Sequence, residues 1–258
     1  MQTYVVLMVL LAAGGTILDI LHKKSAKYFF ENAKKAQQDA TRSVGTGEKV
    51  GIALKTVGKE VLTSGEFDNQ QRRMSHLLTM YGFILLVVTT AILIFGYAAD
   101  PAPAIIPLLW HLGALMLAGG GYWFWFGIRV DVSSEGKPWY QLERADLFIV
   151  SLLATATFAL LWSFTQGFGA INWLFFALFV AATTALFGTV YWSKFAHMFF
   201  KPAAAYQKRL TKADGSAENL PTISRAEPEQ QQRHSMELLR DAPMDMGLGI
   251  KREAPNHY

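Results

Sequence analysis

The sequence predicts an all-α integral membrane fold: a five-transmembrane-helix bundle with its N-terminus outside and its C-terminus in the cytoplasm. Three observations predict it. Five apolar runs are each close to the roughly 20 residues that cross a bilayer core. Charged residues make up 17% of the chain, against about 25% in a soluble domain, and they fall between the apolar runs. All basic residues lie on alternate connections.

The runs are Tyr4–Leu21, Leu77–Tyr97, Ile105–Ile128, Asp146–Thr165 and Ile171–Ser193. The first holds a single acid, Asp19, in its last turn. Its charges (Lys23, Lys24, Lys27) follow the apolar run instead of preceding it, which predicts a membrane span and not a cleaved signal peptide. Eleven Lys/Arg fall in 22–75, three in 129–144 and ten in 194–258, which is all 24. The connections 98–104 and 166–170 contain none. The positive-inside rule therefore assigns the basic segments to the cytoplasm, with the chain in the cell's inner membrane. A net charge of +4 is thereby explained as topology, and nucleic acid is not an expected partner.

The domain reading follows: span 1 at 1–21, a cytoplasmic segment at 22–75, a four-helix transmembrane bundle at 76–197 and a cytoplasmic tail at 198–258. The outer connections carry Pro101, Pro103 and Pro107, then Gly167 and Gly169, which suit tight turns between antiparallel neighbours. Tyr122, Trp123, Trp125, Tyr191 and Trp192 stand where an aromatic belt belongs. Within 22–75, Glu48–Leu62 sets Val50, Ala53, Leu54, Val57, Val61 and Leu62 at helical spacing, with Lys49, Lys55 and Lys59 on the polar side. Such a helix suits an anionic leaflet or a docking partner. From 211 on, the chain is polar and has too little apolar surface for a core.

There is no cysteine, so the chain has no thiolate ligand for a metal or an iron–sulfur cluster. A redox role would use histidine. His76 and His197 lie at matching inner depth on different spans, the arrangement of a bis-histidine haem b, whose iron takes an imidazole on each face. The other reading is a pair of interfacial histidines. His22 shares that level and could replace either. His111 is 17 residues from Ile128, about 25 Å of helix, so it would serve an outer haem or a quinone oxygen. No second outer histidine stands on any span. His234 and His257 lie in the tail. Arg72, Arg73, Arg129 and Arg144 could hold propionates, or simply obey the positive-inside rule. Asp19, Glu143, Asp146 and Lys194 could carry protons to a quinone or anchor helix ends. Gly119-Gly120-Gly121, with Gly113 and Gly127, could pack helices closely or clear space for a flat ring.

Arg72-Arg73-Met74-Ser75-His76 leading into Tyr81-Gly82-Phe83, and Tyr191-Trp192-Ser193-Lys194-Phe195-Ala196-His197-Met198-Phe199 closing span 5, resemble the membrane cytochrome b subunits of the nitrate reductase gamma and heterodisulfide reductase type. The resemblance covers about residues 1–210. Within that superfamily the chain most resembles the membrane anchors of adenylylsulfate (APS) reductase. The resemblance implies electron transfer between a cytoplasmic iron–sulfur flavoprotein, the APS reductase subunits, and the quinone pool. It implies haem b and quinone as cofactors, with the catalytic chemistry belonging to the partner. It also implies His76 and His197 as iron ligands; His22, His111, Arg73 and Arg144 are the further cofactor contacts that their depth and charge suggest. Members with two haems carry a histidine pair on the second span and a matching pair on the last. Here Leu86 stands where the second histidine would, so one inner haem is expected. Two other classes stay open: a haem-free anchor that binds quinone directly, and a small transporter, which commonly carries polar residues or broken helices at mid-membrane, whereas here the ionisable groups cluster at the inner edge.

Overall fold

A computed structural model describes residues 1–22, 25–65, 67, 69–131, 136–193, 195 and 197–217, apart from the side chains of Ser25, Ala26, Tyr28 and His197. All regular structure among these residues is helical: α1 (Gln2–His22), α2 (Ser25–Gln38), α3 (Thr46–Thr56), α4 (Gln70–Ala91), α5 (Ile105–Trp123), α6 (Leu147–Phe164), α7 (Ala170–Gly188) and α8 (His197–Ala213). π turns extend α3 over Val57–Leu62, α4 over Ile92–Gly96 and α5 over Phe124–Ile128, and a 3-10 turn, Arg144–Asp146, leads into α6. Among the described residues, five helices are long and apolar enough to cross a membrane. The chain is a multi-pass helical membrane protein.

It divides into two compact units, Met1–Lys27 with Thr63–Lys201, and Tyr28–Leu62 with Pro202–Tyr258. In the first, α4, α5, α6 and α7 pack each on the next in chain order, and α1 packs on α7. The core is Leu86, Trp110, Ala114, Leu117, Leu152, Ala156, Ala159 and Leu186. Its small members matter because lipid gives helices no hydrophobic drive to associate; close backbone approach and interhelical hydrogen bonds do that work. The bonds are present. Ser75 Oγ donates to the Gly120 carbonyl at 2.8 Å, and Trp110 Nε1 donates to Thr90 Oγ1 at 2.9 Å. Tyr4 Oη donates to the Val180 carbonyl at 3.1 Å, fixing α1 to α7.

The α4–α5 seam settles what Gly82, Gly113 and Gly120 do. A Cβ on Gly113 would lie 2.7 Å from Leu86 N, and one on Gly120 2.7 Å from Thr79 N; one on Gly82 would collide with Leu117 N. These helices touch backbone to backbone, and no flat ring fits between them. Gly121 likewise admits Leu153 of α6. Gly119 faces open space.

Two expectations change. Span 5 was expected to run to Ser193, yet α7 stops at Gly188. Trp192 N donates to the Thr189 carbonyl at 2.9 Å and Ser193 N to the same oxygen at 3.0 Å, so the chain turns there. Glycine followed by β-branched Thr189 and Val190 is a weak helix continuation. His197 therefore opens α8 instead of closing a span. Trp125 also leaves the aromatic belt: it is buried, with the Arg129 guanidinium 4.3 Å over its ring.

In the second unit, the loop after α2 caps the end of α8. Thr41 N and Arg42 N donate to the Asp214 carbonyl at 3.0 and 3.1 Å, and Arg42 Nε donates to the Ala213 carbonyl at 2.6 Å. These orphan carbonyls carry the negative end of the helix dipole, so a guanidinium there is doubly suited. Arg42 also pairs with Glu48 of α3 at 2.5 Å, and Arg209 of α8 pairs with Glu60.

Candidate functional site

One end of the bundle collects the candidate residues. His22 ends α1 with its ring 5.9 Å from Tyr191. His76 lies in the second turn of α4, with Arg129, the 3-10 turn at 144–146 and the 189–195 connection at the same end. That grouping follows from contacts: α4 meets the π turn that ends α5, and Phe195 meets Phe148 at 5.7 Å and Phe187 at 6.0 Å.

His76 is the best-defined member. Asn69 caps α4 by accepting from Arg72 N at 3.0 Å, which fixes where the helix begins. The preceding turn folds back over the first residues. Arg73 Nε donates to the Thr63 carbonyl at 2.7 Å, and Phe67 N donates to the Ser64 carbonyl at 3.2 Å. Ser64 is buried with φ of 48° and lies 2.9 Å through its Oγ from His76 Nδ1. Phe67 rests on the imidazole at 5.0 Å between centroids, with Lys201 5.1 Å and Arg72 5.7 Å from the same phenyl ring. The Ser64 hydroxyl can donate to or accept from this nitrogen, and either way it fixes the plane of the ring. A neighbouring hydrogen-bond partner of this kind orients metal-binding histidines.

The face on which His76 sits can also be read. It precedes Phe83 by seven residues, two turns of helix and the same stripe. Phe83 meets Phe187 of α7 at 6.4 Å. A file of rings, Phe83, Phe187, Phe195 and Phe148, thus leads from that stripe to α7 and to the residue two before His197. The α5 side of α4 is closed by glycine; on the side toward α7, Phe83 meets Phe187.

The other candidates separate. His197 is the first residue of α8, and its side chain lies outside the described residues, as do Lys194, His234 and His257. His111 is at the opposite end. Its Nδ1 donates to the Pro107 carbonyl at 2.7 Å, and its Nε2 then accepts from Ser163 Oγ at 2.6 Å. Both nitrogens are engaged within the bundle, so this residue does not fit iron ligation. Arg73 spends its Nε on the Thr63 carbonyl, and Arg144 is exposed at the start of α6. Arg129 is fully buried. It donates to the carbonyls of Pro138 and Gln141, each at 2.7 Å, and to Asp146 Oδ2 at 2.6 Å. It staples its own loop and is not placed for a propionate. Asp146 is committed to that staple, and Glu143 pairs with Lys137 at 2.5 Å. Asp19 is 2% exposed within the bundle unit.

Sequence reasoning missed Ser64 and Phe67. Their signal was a Thr-Ser-Gly turn shortly before the Asn69 cap, but turn signals do not say which side chain the turn covers. Comparison with family models, curated proteins and solved structures returns no match.

Proposed function

We propose that this chain is a membrane anchor and electron-transfer subunit, linking a cytoplasmic iron–sulfur flavoprotein, adenylylsulfate reductase by resemblance, to the quinone pool. The observation that carries the reading is His76. Its Nδ1 is oriented by Ser64, and its stripe of α4 faces the aromatic file that leads toward His197. His76 and His197 would hold haem b, which when bound supplies a one-electron store between the partner and quinone. Ser64 fixes the ring angle of His76, and Phe67 covers its face. Lys201 and Arg72, beside Phe67, bring positive charge to a site that would hold anionic propionates. The N-terminus would lie outside and the C-terminus in the cytoplasm, in the inner membrane. The end holding His76 also bears Arg72, Arg73, Arg129, Lys137, Arg144 and Lys201, and the opposite connections bear no basic residue.

A second reading is a haem-free anchor that binds quinone directly. It is favoured by the glycine seam, which denies a ring one whole side of α4. A reduced-minus-oxidised absorption spectrum of the purified chain separates the two. The haem reading expects a b-type signal that is lost in His76→Ala and His197→Ala and kept in His111→Ala. A folded chain with no such signal would sink it. Co-purification with a flavin-containing protein tests the anchoring role in either case.

A further inference from the structure

The helix formed by α3 and its π turn presents an apolar strip that no described residue of its own unit covers. Val50 is 53% exposed, Leu54 70%, Val57 46% and Leu62 50%. The opposite face is spoken for: Thr56 is buried, and Glu60 pairs with Arg209 of α8. The π turn completes the strip. In a straight α-helix Val61 would fall in line with Val50, Leu54 and Val57, since residues three and four apart share a face. A π turn closes on the fifth residue instead, which brings Leu62 above Val57 and leaves Val61 half-buried.

Charge favours one occupant. Both acids of this helix, Glu48 and Glu60, are paired with arginines of the same unit. Lys49, Lys55 and Lys59 are all exposed, and Lys55 is one residue, about 100° of arc, round from Leu54. The chain itself supplies proximity. Eight residue steps lead from Leu62 to Gln70, the start of a spanning helix, a reach of at most about 28 Å. An apolar strip bordered by lysine and tethered beside a membrane span matches a bilayer surface.

We propose that residues 46–62 lie in the interface of an anionic leaflet, with Val50, Leu54, Val57 and Leu62 in the acyl region. This requires only that the apolar helices span a membrane and is independent of the electron-transfer reading.

The absence of cysteine makes the test clean. Single-cysteine variants of the full chain, Val50→Cys, Leu54→Cys, Lys49→Cys and Leu112→Cys, are labelled with an environment-sensitive fluorophore. They are reconstituted into phosphatidylglycerol–phosphatidylcholine bilayers with brominated acyl chains. Leu112 is an exposed residue of α5 and reports insertion. The proposal expects strong bromine quenching at positions 50, 54 and 112 and weak quenching at 49. Lys55→Glu should lower the ratio of bound to unbound helix read at 54 by at least about fivefold, the weight of one interfacial lysine, with position 112 unchanged. Labels at 50 and 54 as unquenched as that at 49, with 112 quenched, would overturn it. So would shielding of 50 and 54 that appears only when soluble protein is added, which would make the strip a protein-docking face. An unquenched label at 112 would overturn the membrane reading and this inference with it.

Discussion

Adjacent glycines in α5 should respond in opposite ways to the same substitution. Gly119 has open space where a Cβ would go, and Gly120 has Thr79 N at 2.7 Å and Leu78 Cβ at 2.8 Å. Unstrained carbon contacts lie near 3.5–4.0 Å, so Gly120→Ala requires α4 and α5 to part by about 1 Å. Thr79 Oγ1, also at 2.7 Å, can swing aside, but Thr79 N and Leu78 Cβ are not moved by any rotamer change. Overpacking of this kind costs about 1–3 kcal/mol, and separation would also stretch the 2.8 Å bond from Ser75 Oγ to the Gly120 carbonyl. The helix-propensity gain of alanine over glycine, roughly 0.8–1 kcal/mol, offsets part of that cost at 120 and stands alone at 119. Gly120→Ala should therefore lower thermal stability in detergent by several degrees, at about 2–4 °C per kcal/mol for a chain of this size. Gly119→Ala should leave it level or raise it slightly. Equal melting temperatures for the two variants would refute backbone contact at this seam.

Two further outcomes follow from the ion pairs. Asp146→Ala strands the buried Arg129 guanidinium and should cost about 3–5 kcal/mol, whereas Lys137→Ala, at a half-exposed pair, should cost less than about 1 kcal/mol; paired melts check the contrast. The hydrogen bond from Arg42 holds the Glu48 carboxyl below its ordinary value of 4.5, against a smaller opposing effect of desolvation. A carboxyl lowered by folding stabilises the folded form above its unfolded value and loses that contribution as the pH falls through the folded one. Amide hydrogen exchange at Thr41 and Arg42, measured at each pH and corrected for its intrinsic pH dependence, should thus stay slow through pH 4.5 and quicken only below it; Glu48→Gln should abolish the pH step.

The spans were legible because a bilayer imposes length and apolarity together, and few soluble segments meet both. The packing role of Gly113 and Gly120 was half legible. Small residues in a span announce close approach, but only the structure shows that Gly119 takes no part. The end of α7 was not legible, because hydropathy continues through Val190, Tyr191 and Trp192 while the backbone has already turned at Gly188. α8 was missed for the opposite reason: with Pro202 inside it and lysines along it, it offers neither a span nor a clean helical signal. The Val57–Leu62 turn shows a third limit. Helical spacing assumes 3.6 residues per turn, and a π turn shifts the strip from Val61 to Leu62.

The break at Gly188 bears directly on the candidate site. If α7 ran on as a straight helix, His197 would stand nine residues beyond Gly188, about 13.5 Å further along the axis. Instead the 189–195 connection turns inward and seats Phe195, 5% exposed, against Phe148, Phe187 and Phe199. Phe195 is thus the pin that holds the chain against the bundle two residues before His197. Phe195→Ala should cost about 3–5 kcal/mol as a buried aromatic truncation, and Phe168→Ala, at a 65% exposed ring, should cost far less. If Phe195→Ala melts with the wild type, the connection is not anchored there. The approach of residue 197 to the bundle would then need another cause.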